Sequence, residues 1–181
     1  MPALAGIVVF RRYCMDQLWS PWRAAYVTDE HRHASSECFL CSAADQTSND
    51  EEWLVAARFD ASIVVVNRFP YNAGHVLIAP LQHEGNLAVL PEEHAIELMK
   101  VTRIVVRALE DELRPHGVNI GVNMGSAAGA GVPNHLHIHC VPRWSGDTNF
   151  MPVLAETKVI SELLPEMRHR LASAIARVRQ Q

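Results

Sequence analysis

Residues 135–141 read "HLHIHCV": His135, His137 and His139 fall at every second position, with Leu136, Ile138 and Cys140 between and behind them. An extended chain turns alternate side chains to opposite faces, so as a strand this stretch presents three imidazoles on one face and a hydrophobic anchor behind each. A buried imidazole needs partners for two ring nitrogens, which makes three of them an expensive way to fill a core. The same rings can instead ligate a metal, carry a proton near neutral pH, or act as a nucleophile that splits one hard displacement into two easier ones.

Spacing separates these uses. On a flat strand the three rings spread over roughly 13 Å, too far for three bonds of about 2 Å to one ion. A zinc hydrolase with all three rings as ligands is therefore disfavoured. A phosphoryl centre fits better, because transfer there depends mainly on convergent donors and in-line placement. Gly125, Gly129 and Gly131 lie just upstream, where a chain without Cβ atoms lets backbone N–H groups approach a phosphate. A non-catalytic nucleotide-binding module would use the same donors, but it gives no reason to choose ionisable rings over arginine or lysine. A second cluster, Cys38-x-x-Cys41, is half of a tetrahedral zinc site or, with equal weight on its own, two packed thiols.

The elements that must position these residues can be read from pattern. "WLVAAR" (53–58) and "SIVVVN" (62–67) are β-branched runs separated by turn-forming residues and predict an antiparallel pair. "NRFPYNAGH" (67–75) reads as a loop leading into a strand over 75–80. Residues 91–113 predict a long helix, with Pro91, Glu92 and Glu93 at its start, Pro115 and Gly117 past its end, and a buried stripe of Leu98, Val101, Val105, Ala108 and Leu109. A strand over 118–125, the glycine-rich loop, the histidine strand and a closing helix over about 159–178 complete the chain. Strands before and after one long helix predict an α+β domain with a mostly antiparallel sheet. The polar stretch 42–51 reads as a surface loop, and the aromatic cluster "LWSPWRAAYV" (18–27) as a segment that packs on a body or a partner.

Composition sets the outer limits. The chain has 181 residues, suited to one domain with a sizeable core. A net charge of −4 gives no overall reason to expect nucleic acid or an anionic membrane as partner. No apolar run reaches the roughly 18 residues of a membrane span. The first 14 residues lack a basic region ahead of their apolar run, so they predict an extension preceding a possible start at Met15 rather than a secretory signal. Four cysteines without such a signal suit a reducing compartment, and the expected location is the cytoplasm. His31, His33, His94, His116 and His169 sit in polar or helical surroundings and are expected to be solvent-exposed.

"HLHIHCV" resembles the His-φ-His-φ-His-φ-φ signature of the histidine triad (HIT) superfamily of nucleotide hydrolases and transferases. "VVNRFPYNAGHVLIAP" (65–80) is similar to the strand–loop–strand upstream of that signature, and "NMGSAAGAGVPNHLHIHCVPRW" (123–144) to its active-site loop and strand. "LWSPWR" (18–23) and "WSGDTNFMPVL" (144–154) resemble extensions of the bacterial diadenosine tetraphosphate phosphorylase-like branch. The resemblance implies a HIT-like α+β fold, with a five-stranded sheet and two main helices, assembled as a homodimer. It implies one such domain over 15–181, with its core over about 52–144 and a C-terminal helical segment over 158–179.

The resemblance also implies roles. His137 would attack the α-phosphate and become nucleotidylated, His139 would contact the phosphate and assist the leaving group, and His75 matches a fourth histidine beside the triad. Asn67 would contact ribose; Asn123 and the loop with Ser126, Gly129 and Gly131 would hold phosphates. Trp144 would stack on a base or pack in a dimer, and Arg143 and Lys158 are candidates for distal phosphates. Relatives with a Cys₂His₂ site imply zinc on Cys38, Cys41, His83 and His135. Many hydrolases of the superfamily carry glutamine four residues before the first triad histidine; here Gly131 stands there. The smaller residue would leave room for inorganic phosphate as a co-substrate. The expected activity is therefore diadenosine tetraphosphate phosphorylase or hydrolase, with nucleotide phosphoramidate hydrolase or a zinc-containing binding module as alternatives.

Overall fold

The computed structural model describes residues 38–147 and 163–181. The proposed extension 1–14, "LWSPWR", His31, His33, Lys158 and the start of the expected last helix lie outside them. Eight main elements are described: α1 (Phe39–Asp45), β1 (Val55–Arg58), β2 (Ser62–Val66), β3 (Val76–Pro80), α2 (Glu92–Leu113), β4 (Gly117–Val122), β5 (Ile138–Arg143) and α3 (Leu164–Val178).

The strands form one sheet in the order β1-β2-β3-β5-β4, and every neighbouring pair is antiparallel. The β-branched run Ser62–Val66 is buried throughout, as suits a strand covered on both faces. Helix α2 packs over β3 and β5, and α3 packs against α2 and β1. The predicted stripe of α2 is its buried face: Leu98, Val101, Val105, Ala108 and Leu109 are each about 1% exposed. Its last turn closes on Arg114, which takes the left-handed conformation and donates its N–H to the Glu110 carbonyl, before Pro115 removes the next donor.

Two expectations need correction. The stretch 42–51 is not loop throughout, because Ser42–Asp45 belong to α1, so the described residues contain three helices rather than two. This short helix is held from outside: Arg58 on β1 donates to the carbonyls of Ala43 and Ala44 at 2.7 and 2.8 Å and to the Asp50 carboxylate at 2.7 Å. The guanidinium supplies the positive charge and donors that the helix C-terminus lacks.

The second correction concerns the histidine segment. Only His139 lies within β5; His135 and His137 precede the ladder, which begins at Ile138. There the Leu136 N–H donates instead to the Glu84 carbonyl at 2.7 Å, outside regular pairing. Burial does not alternate along the segment: Leu136, Ile138 and Cys140 are buried in the core, and His135 and His137 are buried as well, at 0 and 3% exposed.

Candidate functional site

The histidines fall into two groups that meet at the backbone between His135 and His137. Carbonyls can only accept, and this assigns their tautomers. His135 Nε2 lies 2.8 Å from the Pro80 carbonyl, so that nitrogen carries the hydrogen. Its Nδ1 lone pair then faces Cys38 Sγ at 3.3 Å and Cys41 Sγ at 3.5 Å. Cys41 Sγ also lies 3.1 Å from His83 Nδ1. Ligand atoms of Cys38, Cys41, His83 and His135 all lie within 4.8 Å of one another. In a tetrahedral zinc site, sulfur and nitrogen ligands stand roughly 3.5 Å apart, so these spacings suit an ion at the centre. The two sulfurs and two imidazoles are also the donor set such an ion prefers. Helix α1 carries Cys41 with Cys38 just before it, and His83 follows the end of β3. The cluster therefore joins the N-terminal side of the described chain to the sheet.

The second group begins at His137. Its Nδ1 lies 2.8 Å from the carbonyl of His135, so Nδ1 carries the hydrogen and Nε2 keeps its lone pair. The ring is 3% exposed. Burial lowers its pKa, partly opposed by the bond to the His135 carbonyl, and keeps it neutral. The His137 and His139 ring centroids are 4.9 Å apart.

His139 has its tautomer set by a relay that starts in the backbone. The Tyr71 N–H donates to His75 Nδ1 at 3.1 Å, and the Asn67 side-chain amide faces the same nitrogen at 3.2 Å. Nδ1 of His75 is therefore an acceptor and Nε2 carries its hydrogen, which points at His139 Nδ1, 3.0 Å away. His139 in turn accepts on Nδ1 and holds its hydrogen on Nε2, an atom that is buried without a protein partner among the described residues. Burial and the nearby His137 hold the pKa of His139 down to about 4. The arrangement thus puts a bare nucleophilic nitrogen on one ring and a free N–H donor on the next.

The remaining expected residues are placed unevenly. A cavity of about 300 Å³ beside His139 is lined by Asn123, Tyr71, Asn119 and Gly121 among others. Asn67 is half-buried against His75, and its Oδ1 accepts from the Phe69 N–H. Ser126, Gly129 and Gly131 are exposed on a single-turn loop and do not line that cavity. Trp144 is half-buried, its N–H on Asp147. Arg143, expected as a distal-phosphate contact, has its charge matched by a bidentate pairing with Asp147 at 2.6 and 2.7 Å. Of the histidines expected to be exposed, His116 and His169 are, whereas His94 is half-buried.

Tyr71 escaped the sequence reading. Its ring stacks over His139 at 5.8 Å and 15°, and its N–H starts the relay. An aromatic residue in the loop four positions before His75 was the available signal, but a backbone donor has no signature in residue type.

The HIT domain family model matches residues 49–146, and the chain belongs to that family. An AP-4-A phosphorylase from Mycobacterium tuberculosis is 36% identical over 173 residues, covering 93% of this chain and 89% of the relative. "Protein hit" from Bacillus subtilis is 30% identical, covering 80% and 96%. Among solved structures, a zinc-bound histidine triad family protein from Mycobacterium smegmatis superposes with a TM-score of 0.64 at 24% identity, covering 80% and 96%. That likeness shows a shared HIT-like fold.

Proposed function

We propose that this chain is a nucleotidyl hydrolase or transferase that cleaves dinucleoside polyphosphates, diadenosine tetraphosphate foremost, through a covalent nucleotidyl-histidine. The observation that carries the reading is the hydrogen bond from His137 Nδ1 to the His135 carbonyl, which leaves Nε2 as the attacking atom. In the first step a bond forms between that nitrogen and the α-phosphorus, and the bond to the bridging oxygen breaks. The Nε2–H of His139 donates to the departing oxygen. In the second step an acceptor oxygen attacks the same phosphorus and the P–N bond breaks. With phosphate as acceptor the products are ADP and ATP; with water they are AMP and ATP.

The similarity to an AP-4-A phosphorylase across most of both chains and the missing side chain at Gly131 favour phosphate. Asn67 would contact ribose, and Asn123 with the turn at Ser126, Gly129 and Gly131 would hold phosphates. Trp144 would pack near a base. Incubation with diadenosine tetraphosphate, with and without inorganic phosphate, tests this by the nucleotides released. ADP plus ATP only with phosphate is the expected outcome; AMP plus ATP regardless of phosphate makes it a hydrolase. Release of AMP from a phosphoramidate alone, or binding without turnover, overturns the reading.

Cys38, Cys41, His83 and His135 would hold a structural zinc ion, with no ligand position left for substrate. When bound, such an ion crosslinks α1, β3 and the histidine segment. We also infer one HIT-like domain over 15–181 and a homodimer. In support of the dimer, the sheet ends at β4, an exposed edge, and Ile120, Val122 and Met124 on or beside it are 52, 39 and 49% exposed. Light scattering that gives a monomer mass would remove the dimer. No helix of the described residues is long and apolar enough to cross a membrane. The placement inferred here is the cytoplasm, with a small-molecule nucleotide as the partner.

A further inference from the structure

The loop 67–75 fixes the tautomer of His139, yet it is irregular, and its aromatic residues Phe69 and Tyr71 are 65 and 44% exposed. One side chain in it is different. Asn72 is 9% exposed, and its amide donates to the Pro142 carbonyl at 3.0 Å and to Asp147 Oδ2 at 2.9 Å. Its own carbonyl accepts the N–H of His75 at 3.1 Å. The Asp147 carboxylate also takes the Arg143 fork and the Trp144 N–H at 3.1 Å. One carboxylate therefore binds the loop that carries Tyr71 and His75 to the end of the strand that carries His139.

We propose that Asn72 and Asp147 form a latch that positions His75 and so holds His139 in the tautomer that donates from Nε2. Asn72 is on the lining of the cavity beside His139, but its amide is taken up by Pro142 and Asp147; Asn72 and Asp147 are both positioning residues, and the role rests on the reading of His139 as the leaving-group donor. The physical reason is short reach. The Tyr71 N–H and the His75 N–H flank Asn72, so a loop released at Asn72 shifts the donor that faces His75 Nδ1. His75 can then present a lone pair to His139, and His139 moves its hydrogen to Nδ1. Its Nε2 would accept where the departing oxygen needs a donor. A displacement of about 1 Å in such a relay costs about 100-fold in rate.

The test uses the full chain with ¹⁵N-labelled histidine, and pairs steady-state kinetics on diadenosine tetraphosphate with ring ¹⁵N shifts that report which nitrogen of His139 is protonated. Asn72→Ala should lower kcat by about 10- to 100-fold while KM changes little, and His139 should move toward the Nδ1–H form. Asp147→Asn, which keeps an acceptor oxygen for Asn72 but gives up the fork on Arg143, should move both readouts the same way by less. It also serves if the alanine variant fails to fold. A folded variant with wild-type kcat and an unchanged His139 tautomer overturns the latch. So does a wild-type His139 that is protonated on Nδ1, whatever the activity. Absence of turnover in the wild type would instead count against the reaction, and the tautomer readout would still decide the latch.

Discussion

The backbone carbonyl of His135 accepts the Nδ1–H of His137 at 2.8 Å, while the ring of His135 turns its Nδ1 toward Cys38 and Cys41. One residue thus ends the sulfur–imidazole cluster and sets the tautomer of its neighbour but one. A shift of His135 that moves its backbone also moves the carbonyl that orients His137. The two groups of histidines are therefore mechanically joined, although they face different places.

Replacing His137 with alanine removes a buried, neutral ring whose Nδ1 is held by a carbonyl so that Nε2 keeps its lone pair. Cleavage of diadenosine tetraphosphate should fall by about 10³-fold or more, the scale seen when a nucleophile is deleted from an otherwise intact site. Steady-state rates measure it, and activity at the wild-type level would contradict a nucleophilic role. In the wild type, rapid quenching and intact-mass analysis should reveal a nucleotidyl adduct that His137→Ala lacks.

Acid should inactivate the site only below the ordinary histidine range. Burial lowers the pKa of His137, and burial together with His137 takes that of His139 to about 4. Both rings stay neutral at pH 7, and kcat should decline as pH drops below about 6.5. Protonation of His139 would place a hydrogen on Nδ1, directly against the hydrogen of His75. Stability follows the same direction. The unfolded chain takes up these protons first, so the contribution is complete above about 6.5 and is lost as pH falls from there toward about 4. A pH series of kcat and thermal midpoints checks both, and a loss of activity centred at pH 7 or above would contradict the burial argument.

What could be read in the residues depended on how local the cause was. The buried stripe of α2 was legible because five apolar positions repeat at helical spacing over about three turns. The cysteines and His83 were legible as donor types, though their meeting depends on α1. The seven residues of α1 carry no capping side chain, and Arg58, from a later strand, supplies the clamp. The break between His137 and Ile138 was hidden for a similar reason: an extended segment looks the same in sequence whether it pairs with a strand or, as Leu136 does, with Glu84 in a loop. Asp147 and Asn72 are 75 positions apart, and nothing in either residue type announces the other.

Close approach of two backbones explains why residue 85 is glycine. A Cβ there would run into the Pro133 carbonyl oxygen and come within 3.0 Å of Asn134 backbone atoms, just before His135. Backbone cannot rotate aside as a side chain can. Gly85→Ala should therefore destabilise the fold by about 1–3 kcal/mol and displace His135, lowering kcat as well. Thermal or urea unfolding and the same kinetic assay measure the two effects. A variant as stable and as active as wild type would show that the 133–135 segment can yield.

Metal should matter through that same segment. Four donors from three parts of the chain converge at Cys38, Cys41, His83 and His135, and without an ion Cys41 keeps its proton, its pKa raised to about 11 chiefly by burial, with Cys38 adding. Purified protein should contain close to one zinc per chain by elemental analysis. Cys41→Ser removes a donor that stands 3.1 Å from His83 and 3.5 Å from His135, and should lose most of the zinc and several degrees of thermal midpoint. Because none of these four residues lines the cavity beside His139, the loss of activity should appear in kcat, through the misplaced carbonyl of His135, with KM for diadenosine tetraphosphate changing little. Zinc content well below one per chain in the wild type would remove the metal from this account, leaving the cysteines as packed thiols. A selective rise in KM on zinc loss would instead make the cluster part of the substrate site.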